Sequence, residues 1–151
     1  MLSHAAAKPD AGDVLFSLGD AKQMPFADQS FDLLTTGFAT RNLNLNRETL
    51  THTFAEFQRV LRPGGRFVTL ETSQPTSALL RRLVHGYVAA IVRPLGRRIS
   101  GSDAGYAYLS QTIPRFYDAA ELARIMTAAG FRDVTYRRLL SGVAAIHLAW
   151  K

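Results

Sequence analysis

Two apolar runs separated by one amphipathic helical stretch constrain the fold of this chain more than any other feature. The first run, FDLLTTGF (31–38), is apolar without strict alternation, as in a parallel strand covered on both faces. The second, RFVTLET (66–72), reads as another strand. Between them Leu50, Phe54, Phe57 and Leu61 recur at spacings of four, three and four, which is one face of a helix over 47–61. Asn46 suits its N-cap. The RPGG that follows predicts a stop, since Pro63 cannot continue a helix and Gly64–Gly65 permits positive φ. Upstream, VLFSL (14–18) reads as a short buried strand ending at Gly19–Asp20. Strand, loop, strand, helix, strand is the pattern of an α/β domain with a parallel sheet. Ligands of such sheets sit beyond the carboxyl ends of the strands. That rule singles out Gly19–Asp20, Gly37–Phe38 and Glu71–Thr72–Ser73.

Downstream the pattern changes. Residues 77–99 are helical in character, with Gly86 and Pro94 as breaks. In YDAAELARIMTAAGF, Asp118 and Glu121 have capping-box spacing. Leu122, Ile125, Met126 and Ala129 form the apolar face, and Gly130 is the stop. The end, RDVTYRRLLSGVAAIHLAWK, predicts two strands with a turn or bulge near Ser141–Gly142. With 151 residues the chain is long enough for one domain with a core.

The chain contains no cysteine, which excludes disulfides and thiol chemistry. Its four histidines are scattered without metal-ligand spacing, so no metal is expected. The net charge of +6 suggests an anionic partner. No Asp or Glu occurs from Thr72 to Ser102, whereas Arg81, Arg82, Arg93, Arg97 and Arg98 do. That run is either a solvated basic face or one turned to an anion. Helix-turn-helix and RNA-recognition signatures are lacking, so nucleic acid is not the expected partner. The first residues lack the basic and apolar regions of a secretory signal, and the longest apolar run is far short of a membrane span. The expected location is the cytoplasm.

Several residues carry chemistry beside a plainer alternative. Asp20 follows a strand and a glycine, where a carboxylate accepts hydrogen bonds from a base or sugar and the Ala21 amide faces a bound ring; it is equally a turn residue. Arg41 suits an oxyanion or phenolate and Asn42 a polar group, or both belong to the start of a helix. Gly64–Gly65 lacks phosphate-loop spacing. His147 lies among apolar neighbours and reads as a core histidine. Tyr106, Tyr108 and Tyr117 either line a groove or pack.

In this order the motifs resemble a known family. GDAKQMPFADQSFDLLTTGFATRN is similar to the central signature of class I S-adenosylmethionine-dependent methyltransferases, and more narrowly to the ubiquinone/menaquinone biosynthesis C-methyltransferases. RVLRPGGRF, LETSQP, YAYLSQTIPRF and SGVAAIHLAWK extend the resemblance over nearly the whole chain. It implies S-adenosylmethionine as cofactor, with Asp20 and Ala21 at the adenine and Gly37 and Phe38 beside the methionine and sulfonium end. It places Arg41 and Asn42 at the reacting substrate, and Tyr108 and Ser110 in the substrate-side segment. The implied substrate is a prenylated hydroquinone methylated at a ring carbon. A lipid tail gives the basic segment 72–102 a purpose as a peripheral membrane contact.

The sequence also departs from the family pattern. The glycine-rich loop after the family's first strand and the acidic residue that binds the ribose are not in it, nor is the family's acidic general base. Ala39 and Thr40 stand for Gly-Leu, Thr72 for a phenylalanine, and Tyr117 where proline is usual. The implied fold is therefore α/β: a Rossmann-like class I methyltransferase sheet lacking its first βαβα portion, with a C-terminal antiparallel strand pair. It forms a single incomplete domain over 1–151, with a strand-and-helix core (14–73), a helical segment (74–117) and a helix plus strand pair (118–151). The class strand order is 3-2-1-4-5-7-6, so the edge of FDLLTTGF is left open. The expectation is that VLFSL crosses over to pair with it, or that a second copy or another partner covers it. A catalytically inactive scaffold of the same fold is the alternative to an enzyme.

Overall fold

The computed structural model describes residues 2–8, 12–43, 46–92, 108 and 111–151. A short helix α1 (Leu2–Ala6) precedes strand β1 (Phe31–Gly37), the four-residue helix α2 (Thr40–Leu43) and helix α3 (Arg47–Val60). Strand β2 (Leu61–Thr72) leads to helix α4 (Ala78–Tyr87), which continues as a π-helical turn over Val88–Val92. A 3-10 turn (Ile113–Arg115) precedes helix α5 (Ala119–Ala128), and strands β3 (Arg132–Leu139) and β4 (Ala144–Trp150) close the chain. The sheet order is β1-β2-β4-β3. β1 and β2 are parallel, and the β2–β4 and β4–β3 pairs are antiparallel. This is the 4-5-7-6 half of the class order, ending in the expected antiparallel pair.

The helices form for the reasons their sequences give. The Asn46 side chain accepts the Thr49 amide at 2.8 Å, and Asp118 and Glu121 complete a reciprocal capping box at the start of α5. α3 turns Leu50, Phe54 and Phe57 inward. Phe67 of β2 lies within 5.2–5.7 Å of the Phe54, Phe57 and Phe131 rings. Leu122, Ile125 and Met126 of α5 complete this core.

Four expectations are corrected. Residues 14–18 form no strand: Leu15 is 95% exposed and Leu18 85%. A strand needs a neighbour for its backbone groups, and no described strand lies beside this one. VLFSL therefore does not cross over to the open edge of β1. β1 itself is not covered on both faces, for Leu33 is 55% exposed. α3 stops at Val60 as RPGG predicts, but the strand expected over 66–72 starts at Leu61 and takes RPGG in, with a register irregularity opposite Phe31–Leu33. Gly64 takes a φ of 76°, and a Cβ on Gly65 would meet the Arg62 carbonyl oxygen at 2.8 Å, so backbone packs where a side chain cannot fit. Finally, Gly86 does not break α4, which runs through it. Pro94 lies outside the described residues.

Candidate active site

The buried face of β2 changes character along its length. Phe67, Thr69 and Glu71 alternate inward, opposite Ala149, His147 and Ala145 of β4. The row begins in the aromatic core and ends in a fully buried carboxylate. Such a charge survives burial only when hydrogen-bonded. Glu71 Oε2 accepts the Arg41 backbone amide at 3.2 Å, and Oε1 accepts the Thr72 amide at 2.8 Å and the Thr72 hydroxyl at 3.1 Å. The carboxylate thus ties the start of α2 to the carboxyl end of β2. Beside it, the Thr36 hydroxyl donates to Thr69 Oγ1 at 2.7 Å, with Thr40 Oγ1 at 3.3 Å from Thr69. β1, α2 and β2 are therefore joined by polar contacts at the end where ligands bind in such sheets.

Arg41 is 7% exposed. Its Nη1 lies 3.5 Å from Thr72 Oγ1, and its Nε is buried with no partner among the described residues. Glu71 is engaged with backbone and hydroxyl donors, so the guanidinium retains donor capacity. Arg41 lines a cavity of about 420 Å³ together with Asn42, Tyr108, Gln111, Arg115 and Tyr117. The Tyr108 hydroxyl donates to Asn42 Oδ1 at 3.2 Å, which brings two expected site residues into contact from 66 positions apart. Ser110 lies outside the described residues. Gln74 supports the wall: its Nε2 donates to the Ile113 carbonyl at 2.6 Å and its Oε1 lies 2.8 Å from His85 Nε2.

The other expected residues sit apart from that cavity. Asp20 is exposed, its Oδ1 accepting the Lys22 amide at 2.9 Å. Ala21 packs on the core. Their loop is pinned to α3: Glu56 Oε1 accepts the Met24 amide at 2.7 Å, and Arg59 donates to Glu56, to Asp28 and to the Met24 and Phe26 carbonyls. The hydrogen bond from Arg59 holds the Glu56 carboxyl below the usual carboxylate range against the opposing effect of burial. Gly37 faces open space. Phe38 follows with a left-handed φ of 53°, a half-exposed ring, and its amide on the Leu70 carbonyl at 2.8 Å. A non-glycine residue held there costs about 1–3 kcal/mol, a kind of strain that clusters at ligand sites. Asp20, Ala21, Gly37 and Phe38 line neither this cavity nor the clefts at Asp32–Gly65 and Lys22–His52.

The family model described as the ubiE/COQ5 methyltransferase family matches residues 1–151. The chain belongs to that family. It is 41% identical to the ubiquinone/menaquinone biosynthesis C-methyltransferase UbiE of Dinoroseobacter shibae, over 89% of this chain and 52% of that protein. It is also 41% identical to the mitochondrial 2-methoxy-6-polyprenyl-1,4-benzoquinol methylase of Homo sapiens, over 89% of this chain and 40% of that one. The chain thus spans about half the length of the curated relatives it matches. Human N-acetylserotonin methyltransferase, solved in complex with S-adenosylmethionine, shares the fold with a TM-score of 0.59 at 18% identity, over 90% of this chain and 33% of that one.

Within the ubiE/COQ5 family frame, residue types pointed to Arg41, Asn42 and Tyr108, and these three meet at one cavity. Glu71 was singled out only by its place at a strand end, while its contacts, Gln74 and the Arg59 network were missed. Their roles depend on contacts 30 or more residues apart in most cases. The signal that could have pointed to the contacts of Glu71 is its acidic side chain inside an otherwise apolar strand, an expensive placement without partners. Among the described residues no group of His, Cys, Asp and Glu is arranged to hold a metal, and no helix is long and apolar enough to cross a membrane.

Proposed function

We propose that this chain forms the substrate-side half of an S-adenosylmethionine-dependent C-methyltransferase acting on a prenylated hydroquinone of quinone biosynthesis. The observation that carries this reading is the buried Arg41 guanidinium, with an unpartnered Nε, in the wall of the cavity that Asn42 and Tyr108 share. An arginine with spare donor capacity in a secluded wall suits an oxygen that becomes negative as the ring is activated.

The residues present fit one side of the cofactor. Asp20 offers an exposed carboxylate for a base or sugar donor, the Ala21 amide suits a ring, and Gly37 leaves open space before the exposed Phe38 ring. When bound, S-adenosylmethionine supplies the electrophilic methyl group. Arg41 favours the phenolate form of the hydroquinone, which raises the nucleophilicity of the ring carbon. Asn42, oriented by the Tyr108 hydroxyl, holds a second polar group of the substrate or a water. Glu71 fixes the Arg41 backbone, and so the position from which the guanidinium acts. The substrate's tail stays in lipid while the basic segment 72–102 rests on the membrane surface.

The family's glycine-rich loop and its acidic partner for the ribose are not among these 151 residues, so tight cofactor binding requires residues outside this sequence to complete the site. The open edge of β1, with Leu33 exposed, and the uncovered residues 14–18 support that requirement. Calorimetric titration with S-adenosylmethionine tests it. The chain alone binds weakly, and adding the amino-terminal half of the Dinoroseobacter shibae relative restores tight binding. In that reconstituted enzyme Arg41→Ala lowers kcat by about 10²–10³-fold and leaves cofactor affinity unchanged. Equal loss in both would remove Arg41 from the substrate side. No binding under any complementation would favour the inactive scaffold, the reading that the absence of Asp20, Ala21, Gly37 and Phe38 from the cavities supports.

A further inference from the structure

Helix α4 and its π-turn carry an unusual outer face. Leu79, Leu83, Tyr87 and Ile91 are exposed by 70%, 62%, 56% and 46%. They recur every four residues, so they form one row along the helix. On the other side Leu80 and Val84 are half-buried, Val88 is buried and His85 Nε2 lies 2.8 Å from Gln74 Oε1, so that side is the one turned to the domain and the row faces away from it. With about 3.6 residues per α-turn, an every-fourth row drifts round the axis. The wider i→i+5 turn over Val88–Val92 takes up that drift and returns Ile91 toward the line of Leu83 and Tyr87.

The charge on α4 itself is of one sign. Arg82 stands exposed beside it, and the Arg81 guanidinium lies back on the Pro75 carbonyl at 3.0–3.1 Å. The sequence from Thr72 to Ser102 holds five arginines and no acidic residue.

We propose that the Leu79–Leu83–Tyr87–Ile91 row is a docking surface for an anionic lipid bilayer, with α4 lying in the plane of the interface. An apolar row on a convex helix flanked by cations is the arrangement of an interfacial helix. Tyr87 suits the headgroup level, apolar ring inward and hydroxyl to water. A second copy is the poorer occupant: a two-fold contact along this row brings together two copies of a face whose own segment, 72–102, has arginines and no acidic residue to pair with them. The inference deepens the proposed function by naming the surface and the lipid charge, and it rests on that reading only for its purpose.

Co-sedimentation of the full chain with vesicles tests it, with no substrate present. The chain binds vesicles of phosphatidylcholine with phosphatidylglycerol, binds those of phosphatidylcholine alone far less, and is released by salt. The double substitution Leu79→Gln with Leu83→Gln, at exposed positions and with unchanged circular dichroism, weakens binding by roughly tenfold or more. Arg82→Glu weakens binding to the anionic vesicles only. Equal binding to both vesicle types, or wild-type binding by the double variant, would overturn the proposal. So would a dimer that the double variant dissolves while vesicle binding is nil, since the row would then belong to a second copy. Vesicle binding without methyl transfer in the reconstituted enzyme would defeat the enzyme reading and leave the surface standing; the converse result would defeat the surface alone.

Discussion

The helix-covered part of the sheet and the stretch from residue 12 to the outer edge of β1 are built from similar amino acids and behave oppositely. Phe67 has 0% exposure and three aromatic neighbours, whereas Leu15 is 95% exposed. Both occur in short apolar runs that read as strands. The difference is the neighbour: β2 lies between β1 and β4 and beneath α3, and among the described residues no strand lies beside 14–18. Apolar character becomes stability only where a second surface meets it. The largest test of the contrast is Phe67→Ala, which empties the centre of the packed side and costs about 3–5 kcal/mol. Urea denaturation measures it. A loss below about 1 kcal/mol would mean that the aromatic cluster is not the seat of the fold.

The same contrast explains what the sequence revealed. α3, α5 and the final strand pair were legible because their signals are local: Asn46 and Asp118 cap, every third or fourth residue is apolar, and Ser141–Gly142 turns. The boundaries were less so. RPGG carries every mark of a turn, yet β2 takes it in, because Leu61 pairs with Phe31 and the Lys151 amide and carbonyl pair with Gly65 and Gly64 from the far end of the chain. Residues 14–18 failed as a strand for want of pairing, which composition does not encode. At the site, Arg41, Asn42 and Tyr108 were recognisable by type and motif. That Glu71 holds the Arg41 amide was not, since a hydrogen bond between positions 41 and 71 is decided by topology.

A second test probes the packed side through its one buried histidine. His147 is 1% exposed, its Nε2 lies 2.8 Å from the Ala119 carbonyl, and its Nδ1 has no partner among the described residues. Burial pushes the imidazole below its ordinary range; the Ala119 carbonyl opposes this and the Arg138 charge adds to it. Above about pH 6.5 the ring is neutral in both folded and unfolded chains, and its contribution is fully present. As pH falls through that value, the unfolded chain takes up a proton that the folded one refuses, so stability drops until the lowered folded pKa is reached. Urea midpoints between about pH 7.5 and about pH 5.5 should show the decline, and His147→Gln should reduce it whatever its own stability. An unchanged slope in that variant would mean that the ring does not enter the packed side as a neutral group.

The smallest expected effect belongs to the open side and discriminates most. Leu15 already stands in water, so Leu15→Asp removes nothing from the isolated chain and changes its stability by less than about 0.5 kcal/mol. If residues 14–18 are covered when the cofactor half is supplied, the same substitution places a charge against an apolar surface. It then weakens that association by about 1.5–3 kcal/mol, the value of one buried leucine. Thermal midpoints of the chain alone, and calorimetric titration of the chain with the amino-terminal half of the relative, separate the two terms. A neutral substitution in the chain and a costly one in the complex would show that this run is a strand waiting for its neighbour. A cost in the isolated chain would show instead that residues 14–18 already pack, and the contrast between the two regions would disappear.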